Sequence, residues 1–429
     1  MPSTVLPAEH LRSTAIGRYR WVICALLFFA TAINYMDRQI LGLLAPLLQS
    51  KIGWNEAQYG YIVVGFQAAY AIGLLTMGTL VDRWGVKISY AAALTLWTLA
   101  SVAHAAVRTP LGFGVVRFAL GLGESGNFPA AIKAVAEWFP KKERALATGV
   151  FNSGSNVGAT LSPLFIPVLA VHYGWQSAFI ATGLFSAVWI VCWLTIYRSP
   201  SEHPRVAAAE LEYIGSDLQE DGAKIPWVTL LSYRQTWAMV IGRFLTDPIW
   251  WFFLFWLPKY FSSAHGISLV GLALPLIVIY NSASVGSIFG GWLVARLLAA
   301  GWTVNRARKT TMLVCACAVL PVVLAGNIQS LWGAIALVSV AAAAHQGWSA
   351  NLYTMVSDVF PKRAVGSVVG MSGFGGAMGG LLIAGFTGLV LQATHSYVVI
   401  FAIAGFAYVT ALAIIHAILP RLEPAVIVG

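Results

Sequence analysis

Asp37, Arg38, Arg117, Glu124, Arg243 and Asp247 place carboxyl and guanidinium groups inside long runs of otherwise apolar sequence. Two kinds of chemistry suit such groups. A carboxyl in a partly dry setting favours its neutral form, and a neighbouring guanidinium favours the charged form. A pair whose separation changes can therefore load and unload a proton. A guanidinium can also clamp an anion through its planar fork of donors, a geometry that Lys does not reproduce. An isolated Arg or Asp at the centre of a lipid-spanning helix costs roughly 2.5–3.5 kcal/mol, so such residues face protein or a wet cavity.

Spacing groups them. Arg117 and Glu124 are seven apart, two helical turns, and share a face with Gly121 and Phe128. Gly121 leaves room beside them. The pair reads either as a structural ion pair with a neighbouring helix or as a proton site. Arg38 is the candidate to bind a substrate carboxylate. Asn34 and Tyr35, four and three residues earlier, could hydrogen-bond hydroxyls. The other reading is that Arg38 neutralises Asp37. Arg243 and Asp247 stand at i and i+4 and can pair with each other, and Pro248 then interrupts the backbone ladder.

The elements that position these residues follow from composition. The chain has 429 residues, 59% of them hydrophobic and only 10% charged, against about 25% charged in soluble domains. Stretches long enough to cross a ~30 Å hydrocarbon core fall near 20–44, 58–80, 88–107, 110–139, 145–171, 176–197, 236–258, 268–298, 309–327, 330–356, 364–391 and 397–419. Runs this long and uniform satisfy their backbone in lipid as helices. The expected fold is an all-α membrane protein with twelve transmembrane helices.

The net charge of +10 does not indicate nucleic acid, because the charges are sorted. Most Lys and Arg lie in alternate inter-helix segments and the tails, Arg12, Arg18, Arg83, Lys87, Lys141 and Arg306 among them. The opposite loops hold Lys51, Arg108 and Lys259. This bias places both termini in the cytoplasm. No cleavable signal peptide is evident. Cys24, Cys192, Cys315 and Cys317 all lie in apolar helix sequence and suggest neither a disulfide framework nor a metal site. No nucleophile elbow or phosphate loop occurs, so an enzyme is not expected.

The one long polar stretch, Arg198 to Arg234, reads as a cytoplasmic linker in which Ala207–Leu218 could form a surface helix. It divides the chain into six-helix bundles at 1–197 and 236–429, joined by residues 198–235. The halves look duplicated. Gly78-Thr-Leu-Val-Asp82-Arg83 matches Gly291-Trp-Leu-Val-Ala295-Arg296, and Glu137-Trp-Phe-Pro140-Lys141 matches Asp358-Val-Phe-Pro361-Lys362. A parallel repeat about an axis normal to the membrane is a transporter plan, with the ligand site between the halves.

Gly78-Thr-Leu-Val-Asp82-Arg83-Trp-Gly85-Val-Lys87 resembles the loop signature between the second and third helices of the major facilitator superfamily. The resemblance implies two pseudo-symmetric six-helix bundles and makes this loop a gating latch through Gly78, Asp82, Arg83, Gly85 and Lys87. Asn34-Tyr-Met-Asp37-Arg38, Arg117-x6-Glu124, Glu137-Trp-Phe-Pro140 and Pro200-Ser-Glu-His203-Pro look like its anion:cation symporter branch. Gly242-Arg243-Phe-Leu-Thr-Asp247-Pro248 and Ala344-His345-Gln346 look similar to bacterial hexuronate transporters. Gly149-x8-Gly158 followed by Ser162-Pro163 partly resembles an antiporter signature but lacks its closing glycine pair, and is read as close helix packing.

What the resemblance implies is a proton-coupled symporter that imports a hexuronate-type sugar acid across the bacterial inner membrane. Asp37 and Glu124 would carry the protons, and Arg117 would be the switching partner of Asp37. His345 sits at the repeat position of Glu124 and reads either as a hydrogen-bonded core residue or as a pocket residue. Tyr70, Trp348 and Asn351, with Tyr353, are candidates to line the substrate site, since aromatic faces stack on sugar C–H surfaces. No cofactor beyond the coupling protons is expected, and the expected partners are the organic anion and the lipid bilayer, with the protein a monomer. Other cargoes on the same frame are galactonate, glucarate, tartrate or an aromatic acid. A non-transporting membrane sensor is the reading of a different class.

Overall fold

The computed structural model describes residues 17–216 and 225–425, apart from the side chains at positions 79, 82, 141, 142, 144–146, 362, 363 and 366. Arg12, the Asp82 side chain, and Asp217, Glu220, Asp221 and Lys224 of the linker therefore lie outside the described residues. Within them the chain is helical, with no strand.

The first bundle starts with α1 (Tyr19–Ile52), which ends at Gly53 in the left-handed conformation, φ 80°. Asn55 then caps α2 (Glu56–Gly78) through a reciprocal capping box with Gln58. Helical hydrogen bonding runs on into α3 (Arg83–His104), but the chain turns at Gly85, φ 75° and ψ 163°, which a residue lacking Cβ adopts readily. The fourth element is broken into α4a (Pro110–Glu124), capped by Thr109, and α4b (Asn127–Trp138). α5 (Lys141–Tyr173) and α6 (Gln176–Ile196) complete the bundle.

The second bundle comprises α7 (Arg234–His265), α8 (Ala273–Ala299), α9 (Val304–Val319), α10 (Leu331–Val359), α11 (Lys362–Thr394) and α12 (Val398–Ile418). The repeat seen in the sequence recurs in the backbone. Phe139 and Phe360 are both extended, and Pro140 and Pro361 share φ −63° and ψ 151°.

Among the described residues, ten segments are long and apolar enough to cross a membrane. α4 and α10 take the remaining two places of the expected twelve. The first is split at Ser125-Gly126, and the apolar run of the second is diluted by His345, Gln346 and Asn351. These two elements carry several of the polar groups singled out above.

Small residues set the helix spacing. A Cβ at Gly121 would lie 2.5 Å from the Phe66 carbonyl oxygen, and one at Gly123 would lie 2.6 Å from the Trp97 nitrogen. α4a is thereby pressed onto α2 and α3. Gly158 packs on the Ala32 carbonyl of α1 in the same way, whereas Gly149 faces open space. The packing expected of that glycine pair therefore falls on Gly158 alone.

The two bundles meet through α1 with α7, α2 with α11 and α5 with α8. The hydrogen bonds and ion pair between them lie at the end that carries the Gly53 turn. Lys259 Nζ is 2.5 Å from Glu56 Oε2, and Tyr59 Oη donates to the Phe255 carbonyl at 2.7 Å. Gly60 and Gly388 bring α2 and α11 into backbone contact, and a Cβ at Gly60 would be 3.0 Å from the Gly388 Cα. At the opposite end Arg83 and Trp84 of the turn after α2 are exposed. There the first part of the linker docks on the first bundle. Glu210 accepts from the main-chain nitrogens of Tyr19 and Arg20 at 3.1 Å, and Arg20 also reaches Glu143 at 2.8 Å. The surface helix expected over Ala207–Leu218 is observed as Ala208–Ile214.

Candidate functional site

The site is built where α1, α2 and α4a of the first bundle face α7 of the second. Arg38 projects from the middle of α1. Its Nε and Nη2 both reach Glu124 Oε2 at 2.9 Å, and Nη2 donates to Asn34 Oδ1 at 3.2 Å. Arg38 and Glu124 are essentially fully buried. Four aromatic rings surround the guanidinium: Tyr70 at 4.8 Å, Tyr35 at 4.9 Å, Trp251 at 5.2 Å and Phe66 at 5.5 Å from ring centroid to Cζ. A cation over aromatic faces is stabilised by their quadrupoles, the more so when desolvated. Trp251 belongs to the second bundle, so the box closes across the interface.

Asp37, one residue earlier, points another way round α1. Its Oδ1 accepts from Ser101 Oγ at 2.8 Å, while Oδ2 has no hydrogen-bond partner. Glu124 Oε1 is likewise unpartnered. Each carboxyl thus keeps one buried oxygen free. That is costly for a charged group and well suited to one that carries a proton.

Arg117, expected as the switching partner of Asp37, makes its hydrogen bonds to the main chain. Its Nη1 donates to the Asp37 carbonyl at 3.3 Å and its Nη2 to the Arg38 carbonyl at 2.5 Å. The guanidinium grips the α1 backbone just where Asp37 and Arg38 project, and it lies over the Phe66 ring at 4.8 Å. Pro46 further along α1 removes one ladder donor. In this arrangement Arg117 acts on the two side chains through the helix that carries them.

Of the residues expected to line the site, Asn34, Tyr35 and Tyr70 lie around Arg38. Of the four candidates on α10, Tyr353 lies against Arg243 of α7 at 4.3 Å from ring centroid to Cζ, and the other three are placed elsewhere. His345 Nδ1 shares a hydrogen bond with Tyr408 Oη at 2.6 Å, and its ring stacks on Trp250 at 5.3 Å and 4°. Trp348 packs edge-on to Tyr408 at 5.4 Å. Asn351 donates to the Gly347 carbonyl at 2.9 Å and accepts from Arg308, which also bonds Asp358. These side chains fill the interior between α8, α9, α10 and α12 and do not contact Arg38. His345 is therefore held as the hydrogen-bonded core residue of the two readings. Two features of the site lie beyond the sequence reading. Trp251 stands so far from Arg38 in sequence that nothing local shows that the two meet. Lys259, expected in a loop, lies inside α7 and pairs with Glu56.

The sequence matches the family described as Major Facilitator Superfamily over residues 27–384. It is 32% identical to the hexuronate transporter of Escherichia coli (strain K12) over 372 residues, covering 85% of this chain and 86% of that one. It is 34% identical to the galacturonate transporter of Dickeya chrysanthemi over 279 residues, 64% of this chain and 81% of the relative. Among solved structures, a bacterial homologue of the human lysosomal transporter Spinster, in an inward-facing and occupied conformation, superposes with a TM-score of 0.74 at 16% identity, covering 93% of this chain and 96% of that one. The inward-open xylose transporter XylE from E. coli gives 0.70 at 14% identity, covering 94% and 97%.

Proposed function

This chain belongs to the Major Facilitator Superfamily, and on that premise we propose that it is a symporter importing a hexuronate-type sugar acid together with protons. It is a multi-pass membrane transporter and not an enzyme. The observation that carries the finer reading is the Arg38–Glu124 pair, buried in an aromatic box that the two bundles complete together.

The coupling follows from charge balance. While Glu124 is ionised it occupies the Arg38 fork. When a proton neutralises Glu124 the fork loses its counter-ion and becomes a site for the carboxylate of the sugar acid. Proton and anion thus bind cooperatively, each paying part of the desolvation cost of the other. Asn34 and the faces of Tyr35, Tyr70 and Trp251 suit the hydroxyls and C–H surface of the sugar. Asp37, with one oxygen unpartnered, is a second proton carrier, and Arg117 holds the α1 backbone that positions both groups. One anion with one proton moves no net charge. A second proton makes the cycle respond to the membrane potential by about 2.3 kcal/mol per 100 mV.

The charge bias of the loops supports cytoplasmic termini in a bacterial inner membrane. In that orientation the end sealed by Glu56–Lys259 faces outward. Residues 1–197 and 236–429 would rock as units about the site, tied by the linker 198–235, with the loop Gly78, Asp82, Arg83, Gly85 and Lys87 latching the opposite state. The protein needs no cofactor but the coupling protons and works as a monomer.

Purified protein in liposomes, given an inward proton gradient, should accumulate galacturonate or glucuronate above the external concentration. No gradient-driven accumulation of any sugar acid would end this reading. A relative 28% identical is the D-galactonate transporter of Escherichia coli O6:H1, so an aldonate or another organic anion is the second reading. The same uptake panel separates the two.

A further inference from the structure

The coupling above uses the ion pair between α1 and α4a and leaves the pair on α7 without a task. Arg243 Nε and Nη2 both contact one oxygen of Asp247, Oδ2, at 2.7 Å, so the arginine does not engage Oδ1. The guanidinium lies 4.3 Å from the centroid of the Tyr353 ring, and Tyr353 is 43% exposed although it sits well inside α10. On the same helix, Trp251 closes the Arg38 box and packs against Tyr70, so α7 carries both this group and one wall of that box. α11 is hollowed to receive it. A Cβ at Gly376 would fall 2.2 Å from Asp247 Oδ2.

The separation is informative. Trp251, whose ring lies 5.2 Å from the Arg38 guanidinium, is four residues beyond Asp247 on α7. One helical turn therefore separates the residue that borders Arg38 from the carboxylate that holds Arg243, a spacing on the scale of a six-carbon sugar acid.

We propose that Arg243, Asp247 and Tyr353 form the subsite for the end of the sugar acid remote from the carboxylate, and that Asp247 sets specificity there. This rests on Arg38 being the carboxylate clamp. Asp247 neutralises Arg243, so this pole of the site carries no net charge. Its chemistry is that of hydroxyl recognition, with Asp247 Oδ1 accepting and Arg243 and the Tyr353 hydroxyl donating. A second carboxylate at that end would meet the Asp247 carboxylate and be rejected by like charge. The transporter therefore selects monocarboxylate sugar acids over the dicarboxylates of the same carbon skeleton.

The test compares galacturonate with galactarate, which differ in the oxidation state of the remote end. The full-length protein in liposomes is assayed for labelled galacturonate uptake with either acid as competitor, and in detergent for thermal stabilisation by each. Wild type should favour galacturonate at least tenfold. Asp247→Asn leaves Arg243 unneutralised and should narrow the preference at least tenfold or invert it. If that variant does not fold, Arg243→Gln with Asp247→Asn removes both charges and should bring the preference close to unity. A preference unchanged in a folded variant overturns the subsite alone. A wild type that binds neither acid overturns the proposed function and the subsite with it.

Discussion

Each bundle buries one arginine–carboxylate pair in its membrane interior, and the two are built differently. Arg38 and Glu124 are 86 residues apart and join α1 to α4a, whereas Arg243 and Asp247 close within one turn of α7. A pair between helices must break or drag its helices when they shift. A pair within one turn travels as a unit. The first is therefore fit to change partners during a cycle and the second to present a constant surface. On the proposed reading, the switching chemistry falls to one copy of the duplicated fold and the fixed recognition to the other.

Four perturbations test that division, beginning with the largest effect. Arg38→Lys keeps the charge but loses the fork, and should cut sugar-acid uptake at least a hundredfold while size-exclusion behaviour stays that of wild type. Uptake near normal would move the carboxylate clamp elsewhere. Glu124→Gln should lower gradient-driven accumulation at least tenfold yet retain exchange of labelled for unlabelled substrate, because a neutral side chain leaves the Arg38 fork permanently open. Accumulation that survives would show that the proton rides on another group.

Glu56→Gln strands the Lys259 ammonium in the seal between the bundles. Removing the partner of a buried group costs about 1–3 kcal/mol or more when it is charged, and Glu56 here is 19% exposed. Spin labels across that end should report a larger open population, and an unaltered distance distribution would mean that the pair does not hold the seal. The smallest effect is expected for Asn351→Ala. It should lower Tm by a few degrees, since a buried hydrogen-bond network is lost, and leave the uptake KM within about twofold. A large KM change at constant Tm would return Asn351 to the ligand surface.

How far the sequence could be read depends on the range of the interaction. Apolar runs act locally, and they disclosed the helices, although the first runs on past the expected residue 44 to Gly53. The repeat disclosed two bundles, because Phe139-Pro140 and Phe360-Pro361 must turn alike. Which face of a polar helix meets the ligand was not legible. α10 offers His345, Trp348 and Asn351 within two turns, and only the positions of Tyr408, Trp250 and Arg308 show that these three are consumed by their own bundle. Arg117 illustrates the same limit: the resemblance names it as the switching partner of Asp37, and only the structure shows that the main-chain carbonyls of α1 at Asp37 and Arg38 accept its hydrogen bonds. Contacts across the interface, Trp251 to Arg38 and Glu56 to Lys259, join residues about two hundred positions apart. No local pattern encodes them.

The meeting of Gly60 with Gly388 has a kinetic consequence. Where Gly60 of α2 meets Gly388 of α11 there are no side chains to disentangle, so that crossing can part and re-form without a rotamer having to reset. The tempo of opening is then left to the few groups that do grip across it, the ammonium–carboxylate pair and the tyrosine hydroxyl beside it. A methyl group at either glycine would wedge the gateway ajar, turning a tight shutter into a leaky one.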